Sequence, residues 1–355
     1  MECRLIFRQR AVHATAQIVV VVIAATVTRA SVAQSTMDRV RTAKGAELGE
    51  VSDMTAEKIQ LTKKPSGNTS IAVNEITSIV FDGEPAELGQ ARVKAANGAY
   101  AEAADLLEKI DVTKIKRDLI KQDIEFYKLY CAAQLALGGR GTINEAGTQL
   151  ISFTRAFPKN FHYYQAVETI GDLLAAAGKL DAAQKQYNEL AKAPWPEYRL
   201  RAAVGIGHAM QGQGKHADAI PQFDMALAMI GTGPSAENEK LAATLGKAIS
   251  LAETGQSDKA ISMIEKVILD ADPEQKSLQA RAYNAMGSCY LRAGQKKEAL
   301  MAYLHVDWLY NSVPDAHAEA LANLAPLWQA VGQEGRAREA RQTLQEKYAG
   351  SKWAK

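Results

Sequence analysis

Residues 283–303, YNAMGSCYLRAGQKKEALMAY, decide how the chain reads. Tyr283, Gly287 and Tyr290 are spaced by four and three residues, the interval that places side chains on one face of a helix. Gly294 then ends that helix, because a turn there needs positive φ and glycine alone takes it without steric cost. Ala299 falls one turn into the next helix, where a small side chain lets two helices approach closely. Tyr303 continues the buried stripe. The stretch is therefore a pair of helices joined by a tight turn.

The same offsets recur on both sides. A glycine followed five residues later by alanine occurs at Gly98/Ala103, Gly141/Ala146, Gly178/Ala183, Gly214/Ala219, Gly255/Ala260, Gly294/Ala299 and Gly332/Ala337, with the glycines 43, 37, 36, 41, 39 and 38 residues apart. Nine residues after the glycine stand Leu107, Leu150, Tyr187, Phe223, Ile264 and Tyr303. Seven coincidences in a chain of 25 glycines define an array of helix pairs.

The array resembles the tetratricopeptide repeat family. A small residue seven before the glycine fits that pattern at Ala91, Gly171, Gly207, Ala248, Gly287 and Ala325, and a large one four before it at Leu137, Leu174, Met210, Leu251, Tyr290 and Trp328. The resemblance runs from near Leu88 to near Tyr348. It implies a mainly α superhelical solenoid of about seven helix pairs over residues 84–350, with 351–355 as a tail. The spacing exceeds the family's 34 residues, so turns lengthen or helices gain part of a turn. Gly138-Gly139 before Gly141 makes the second unit irregular, and Pro326 should kink the last unit's first helix. Arg341 replaces the apolar ninth residue there, and Arg336, Arg338, Glu339, Gln342, Gln345, Glu346 and Lys347 make the final helix polar, as the exposed end of a solenoid requires.

Two segments precede the array. Residues 36–82 show near-alternating Val40, Leu48, Val51, Ile59, Leu61, Ile71, Val73, Ile76, Ile79 and Phe81, broken by Ala43-Lys44-Gly45 and Pro65-Ser66-Gly67-Asn68. This pattern predicts four or five short strands in a curled sheet that leans on its neighbour. The module, 34–83, is similar in general pattern to SH3- or Sm-like barrels, and we read it as a packing module. Asp82-Gly83-Glu84-Pro85 reads as a hinge. Before it, Arg4, Arg8 and Arg10 lead into the ten-residue apolar run Ile18–Val27, and Ser31-Val32-Ala33 sets small residues before Gln34. That order is a signal peptide (1–33). Ten residues are half of the ~20 that a spanning helix needs, so cleavage and export to the periplasm or cell envelope are expected, with a retained anchor as the alternative.

Of 355 residues, 47% are hydrophobic and 23% charged, enough apolar residues for a folded core. The chain holds 42 Lys+Arg against 40 Asp+Glu; without the four arginines and one glutamate of residues 1–33, 38 face 39. A neutral chain offers no field for nucleic acid. Cys131 and Cys289 read as buried hydrophobes rather than a disulfide. No GxSxG, HExxH or phosphate-loop pattern is present, so neither catalytic residues nor a cofactor or metal site are assigned. His162, His208, His216, His305 and His317 read as solvated, and the aromatic groups Phe161-Tyr163-Tyr164 and Trp195-Tyr198 as packing beneath inter-repeat loops.

What the resemblance leaves is a groove. In this family the first helix of each pair lines the concave face. The corresponding positions give Gln165, Glu168 and Asp172; Arg201, Val204, His208 and Gln211; Ala242, Leu245 and Ile249; and Arg281, Asn284, Ser288 and Arg292. Arginine with asparagine resembles, in part, the clamp that some relatives place on a peptide's terminal carboxylate, where the planar guanidinium donates two bonds at once. Arg201, His208, Arg281, Asn284, Ser288 and Arg292 are the candidate partner-binding residues. The resemblance implies an exported, non-enzymatic scaffold that holds a protein or peptide. A glycan- or peptidoglycan-recognising envelope accessory and an enzyme with an unrecognised site are the alternatives.

Overall fold

The computed structural model describes residues 37–354 apart from Lys64, Ser66, Thr232 and Gly233; the segment read above as a signal peptide, with its expected cleavage point, lies outside them. Alternating apolar residues build five strands, β1 (Asp38–Thr42), β2 (Gly45–Met54), β3 (Lys58–Lys63), β4 (Gly67–Ala72) and β5 (Ile76–Val80). They form one antiparallel sheet in the order β4-β3-β2-β1-β5, with register shifts at Val51/Asp53 and Arg41/Thr42 that bend it. Leu48, counted in the apolar alternation, stands outward and is 43% exposed.

Fourteen helices follow among the described residues: α1 (Ala86–Ala96), α2 (Tyr100–Glu108), α3 (Asp118–Leu137), α4 (Ile143–Ala156), α5 (Tyr163–Ala176), α6 (Leu180–Leu190), α7 (Pro196–Gly212), α8 (His216–Ala228), α9 (Pro234–Glu253), α10 (Ser257–Asp270), α11 (Lys276–Arg292), α12 (Lys296–Leu309), α13 (Pro314–Ala330) and α14 (Glu334–Tyr348). Each odd helix packs on the next odd one as well as on its even neighbours. The odd helices therefore form the tighter, inner layer of a seven-pair solenoid and the even helices the outer one. Sheet and array share a core: Val40, Ile59, Leu61 and Ile79 join Leu88, Ala91, Leu107 and Ile124 in one buried cluster.

The repeat positions do the work that their chemistry predicts. Ala103, Ala183, Ala219, Ala260, Ala299 and Ala337 are fully buried. Gly98, Gly178, Gly214, Gly255, Gly294 and Gly332 all have φ between 73° and 85°. In the second unit that role belongs to Gly139 (φ 79°), not Gly141: its N–H bonds to Ala136 O, and Arg140 N–H to Leu135 O, as at the other turns. Two extra residues then precede α4. On the odd helices, small residues receive the large ninth-position side chains. A Cβ on Gly171 would lie 2.6 Å from the Tyr187 ring, on Gly207 2.6 Å from Phe223, and on Gly287 2.6 Å from Tyr303.

Other expectations change. The 82–85 segment is pinned rather than a hinge: Glu84 accepts from Phe81 N–H and holds Arg92 in a two-pronged pair. Helix α13 runs unbroken through Pro326. His162 and His317 are buried, not solvated; His162 bonds Asp123 at 2.8 Å and stacks on Phe126, while His317 bonds Asp307 and Tyr348, each at 2.8 Å. Cys131 and Cys289 are buried free thiols. Trp195, Tyr198 and Tyr164 pack together.

Candidate functional site: the inner wall of the solenoid

The odd helices turn charged side chains onto the inner layer because only one stripe of each is needed for packing. On α5, Glu168 and Asp172 are four residues apart and share a face. Arg201 of α7 reaches back to Glu168 (Nη1–Oε2 2.8 Å) and lies over the Tyr198 ring, 4.3 Å from its centre. With Tyr130, Gln134, Gln165 and Thr169 these residues line a pocket of about 230 Å³. Burial drives the Glu168 carboxyl up, and the neighbouring Asp172 and Glu239 carboxylates add to this against the opposing pull of Arg201, leaving it at about 7. Asp172 accepts from the Tyr187 hydroxyl at 2.7 Å; burial raises it also, against that bond and Arg201. Glu239 of α9 is raised by burial, opposed by Arg201 and Arg281. Three carboxylates here share one close arginine.

Further along, the balance reverses. Arg281 of α11 has no carboxylate within ion-pair distance among the described residues. Its charge acts on Glu239, on Glu319 of α13 and on His208 of α7, so these side chains converge from four helices. His208 is open to solvent yet surrounded by protein atoms, as a group on a concave wall is. That crowding lowers its basicity, and the charges of Arg281 and Lys352 lower it further, while a Gln211 bond of 2.9 Å opposes them. The imidazole is thus neutral at pH 7.

The candidate residues divide accordingly. Arg201, His208 and Arg281 stand on this wall. Asn284 is only 2% exposed and ties α11 to α13, its Nδ2 donating to Ala316 O at 2.9 Å and to Glu319 at 3.3 Å. It positions Glu319 and is not an open donor. Ser288 shares a hydrogen bond with the Tyr303 hydroxyl (3.1 Å), against the inter-helix packing. Arg292 pairs with Glu253. Glu239 and Glu319 were not among the candidates; Glu239 lies ahead of the positions that family spacing marks, whereas Glu319 stands thirteen residues before Gly332, the same offset as Arg281 from Gly294. Among the described residues, no group of three or more His, Cys, Asp or Glu is arranged to hold a metal ion, and no helix is long and apolar enough to cross a membrane.

Comparison with known proteins agrees with this architecture. The tetratricopeptide repeat family model matches residues 169–237 and 245–305. No curated protein matches the chain. Among solved structures, a tetratricopeptide repeat protein from Parabacteroides merdae ATCC 43184 is 16% identical, with a TM-score of 0.55, over 74% of this chain and 92% of that one. The apo form of RapI is 12% identical (TM-score 0.56; 74% and 97%). A Rap protein complexed with Competence and Sporulation Factor is 12% identical (TM-score 0.50; 73% and 73%). The chain is a tetratricopeptide-repeat-like solenoid preceded by a small antiparallel sheet.

Proposed function

We propose that the protein is a non-enzymatic scaffold that holds an extended segment of a protein partner along the inner wall. The observation that carries this reading is the unbalanced charge of the wall. Glu168, Asp172 and Glu239 face one close arginine, Arg201, while Arg281 has no ion-pair partner among the described residues. A groove with surplus carboxylates at one end and an unpaired guanidinium at the other fits a segment carrying a basic group toward α5 and a carboxylate toward α11. The arginine fork then donates to the carboxylate directly. The similar Rap structure, complexed with Competence and Sporulation Factor, supports a binding role for the array. The work is done outside the cytoplasm, in the periplasm or cell envelope, on the strength of Arg4, Arg8, Arg10, the Ile18–Val27 run and the Ser31-Val32-Ala33 ending.

The test is titration of a protein recovered with the chain from the native envelope fraction. Replacing Arg281 by Ala removes a charge-assisted bond worth ~1.5–3 kcal/mol, so affinity should fall roughly ten- to hundredfold, and less at high salt. Unchanged affinity for both Arg281→Ala and Glu168→Gln would remove the wall from the mechanism. Recovery of a stoichiometric polysaccharide instead would replace a protein partner by a glycan. Intact mass of the native protein should show a chain that begins near Gln34; retention of residues 1–33 would defeat cleavage.

A further inference from the structure

The chain closes on itself. Gly139, in the turn between α3 and α4, lies directly against Gly350, which follows α14 and is 211 positions away. A Cβ on Gly139 would fall 2.7 Å from the Gly350 carbonyl oxygen and 3.1 Å from its Cα; a Cβ on Gly350 would fall 3.1 Å from Gly139 O. Two backbones meet here with no room for a side chain on Gly139 and little on Gly350, so the solenoid winds far enough for its last residues to return to its second unit.

The residues after Gly350 are ordered by the last helix pair rather than by that contact. Ser351 N–H bonds Tyr348 O at 2.8 Å, Gln345 donates to Ala354 O at 2.7 Å, and Trp353 packs, half-buried, on the α13–α14 core. Lys352 lies over the Trp353 ring at 4.8 Å. Its charge acts on Glu319 and on His208, both on the inner wall. The tail therefore adds its charge to that wall and, through Gly350, reaches the α3–α4 turn.

We propose that the segment Gly350–Ala354 is a latch. It shuts the solenoid against the α3–α4 turn, and it must swing away to open the inner wall. Its hold is light. No hydrogen bond joins Gly139 to Gly350 among the described residues, and the segment is otherwise held by two half-buried side chains, Trp353 and Ala354, and two hydrogen bonds. Local opening draws on segments with few buried contacts of this kind. The inference rests on the backbone contact and stands whatever the groove holds.

The buried thiols make the experiment practicable. Burial pushes Cys131 up to about 11 and, with the Glu253 charge, Cys289 up to about 12, so neither forms the reactive thiolate near neutral pH. In the full chain with Cys3→Ser, spin labels at Arg140→Cys and Ala349→Cys read the Gly139–Gly350 gap. A dominant short distance is expected, and Gly350→Leu, whose side chain would press on Gly139 O, should raise a long-distance population severalfold. Trp353→Ala, which leaves the contact glycines intact, should raise it less. In a separate Cys3→Ser background, His208→Cys gives one exposed thiol on the inner wall. A polymer-tagged maleimide should modify it severalfold faster when Gly350→Leu or Trp353→Ala is added. A single short distance that neither variant changes would overturn the idea of opening. No short distance in the parent chain would overturn closure. A maleimide rate insensitive to both variants would overturn control of access.

Discussion

Two regions of the molecule join arginine to carboxylate, and they differ in how completely. Where the sheet meets the array, every charge is spent. Asp38 is fully buried, pairs with both Nη atoms of Arg117 (2.6 and 2.9 Å) and accepts from Val51 and Asp82 N–H. Burial alone would raise its carboxyl, but Arg117 and the two backbone donors hold it below the usual carboxylate range. Arg92, 7% exposed, lies between Glu84 and Asp123, and Asp123 also meets His162. On the inner wall, by contrast, Glu168 and Asp172 sit above their usual range and Arg281 has no ion-pair partner among the described residues. Saturated buried charge fixes a junction; unsaturated charge on a concave wall is available to a partner.

The largest expected effect breaks the first half of that contrast. Arg92→Ala strands Glu84 and Asp123 in the interior, and loss of one partner of a buried pair costs ~3–5 kcal/mol. Chemical denaturation should show it, and Arg92→Met combined with Glu84→Gln and Asp123→Asn should recover part of the loss, because no charge is then left alone. A small cost for Arg92→Ala would put the junction in the same class as the groove. Arg281→Ala sharpens the second half. Stability should move by no more than about 0.5 kcal/mol, as for a surface substitution, while partner affinity falls as stated above. A clear destabilisation would make Arg281 a structural residue. Gly171→Ala probes the packing beneath the wall: the added methyl meets Tyr187 at 2.6 Å, and overpacking costs ~1–3 kcal/mol. A titration reads the wall without altering its packing. Glu168 has a raised folded pKa, so the folded state holds its proton more tightly than the unfolded one. Stability should therefore decline as pH rises from about 4.5 to about 7 and level off above that, by up to ~3 kcal/mol at ~1.4 kcal/mol for each pH unit in between. Glu168→Gln should flatten that slope. An unchanged slope would return the carboxyl to its ordinary range.

The array was legible because its rules are local. A turn glycine, an alanine five later and a large residue nine later are forced by contacts within one helix pair, and size even matches across the pair, with Gly171, Gly207 and Gly287 opposite rings but Ala91 and Ala248 opposite Leu107 and Ile264. The second turn was misplaced by two residues because Gly138, Gly139 and Gly141 all satisfy the composition; only the hydrogen bonds of Gly139 distinguish it. The junction network was not legible at all, since Asp38 and Arg117 are 79 positions apart and no periodicity links them. On the wall, Arg201, His208 and Arg281 followed from helix face alone, and Glu319, at the same offset from Gly332 as Arg281 from Gly294, was open to the same reading. Asn284 was not, because its burial depends on where α13 packs, and Glu239 became visible only once the winding brought four helices together.

The aromatic wedges carry one more consequence, a mechanical one. The Tyr187 ring touches the positions of both Gly171 on α5 and Gly205 on α7, and Phe223 those of Gly207 on α7 and Gly246 on α9. Each ring is thus gripped by two successive units, whereas the fifth unit offers the aliphatic Ile264 in the same place. Pulled from its ends, the solenoid should not peel evenly. The third, fourth and fifth units, riveted by those two rings, should give way together at the highest force, with the weaker seam falling between the fifth and sixth, and Tyr187→Leu with Phe223→Leu should turn that one large rip into several small ones.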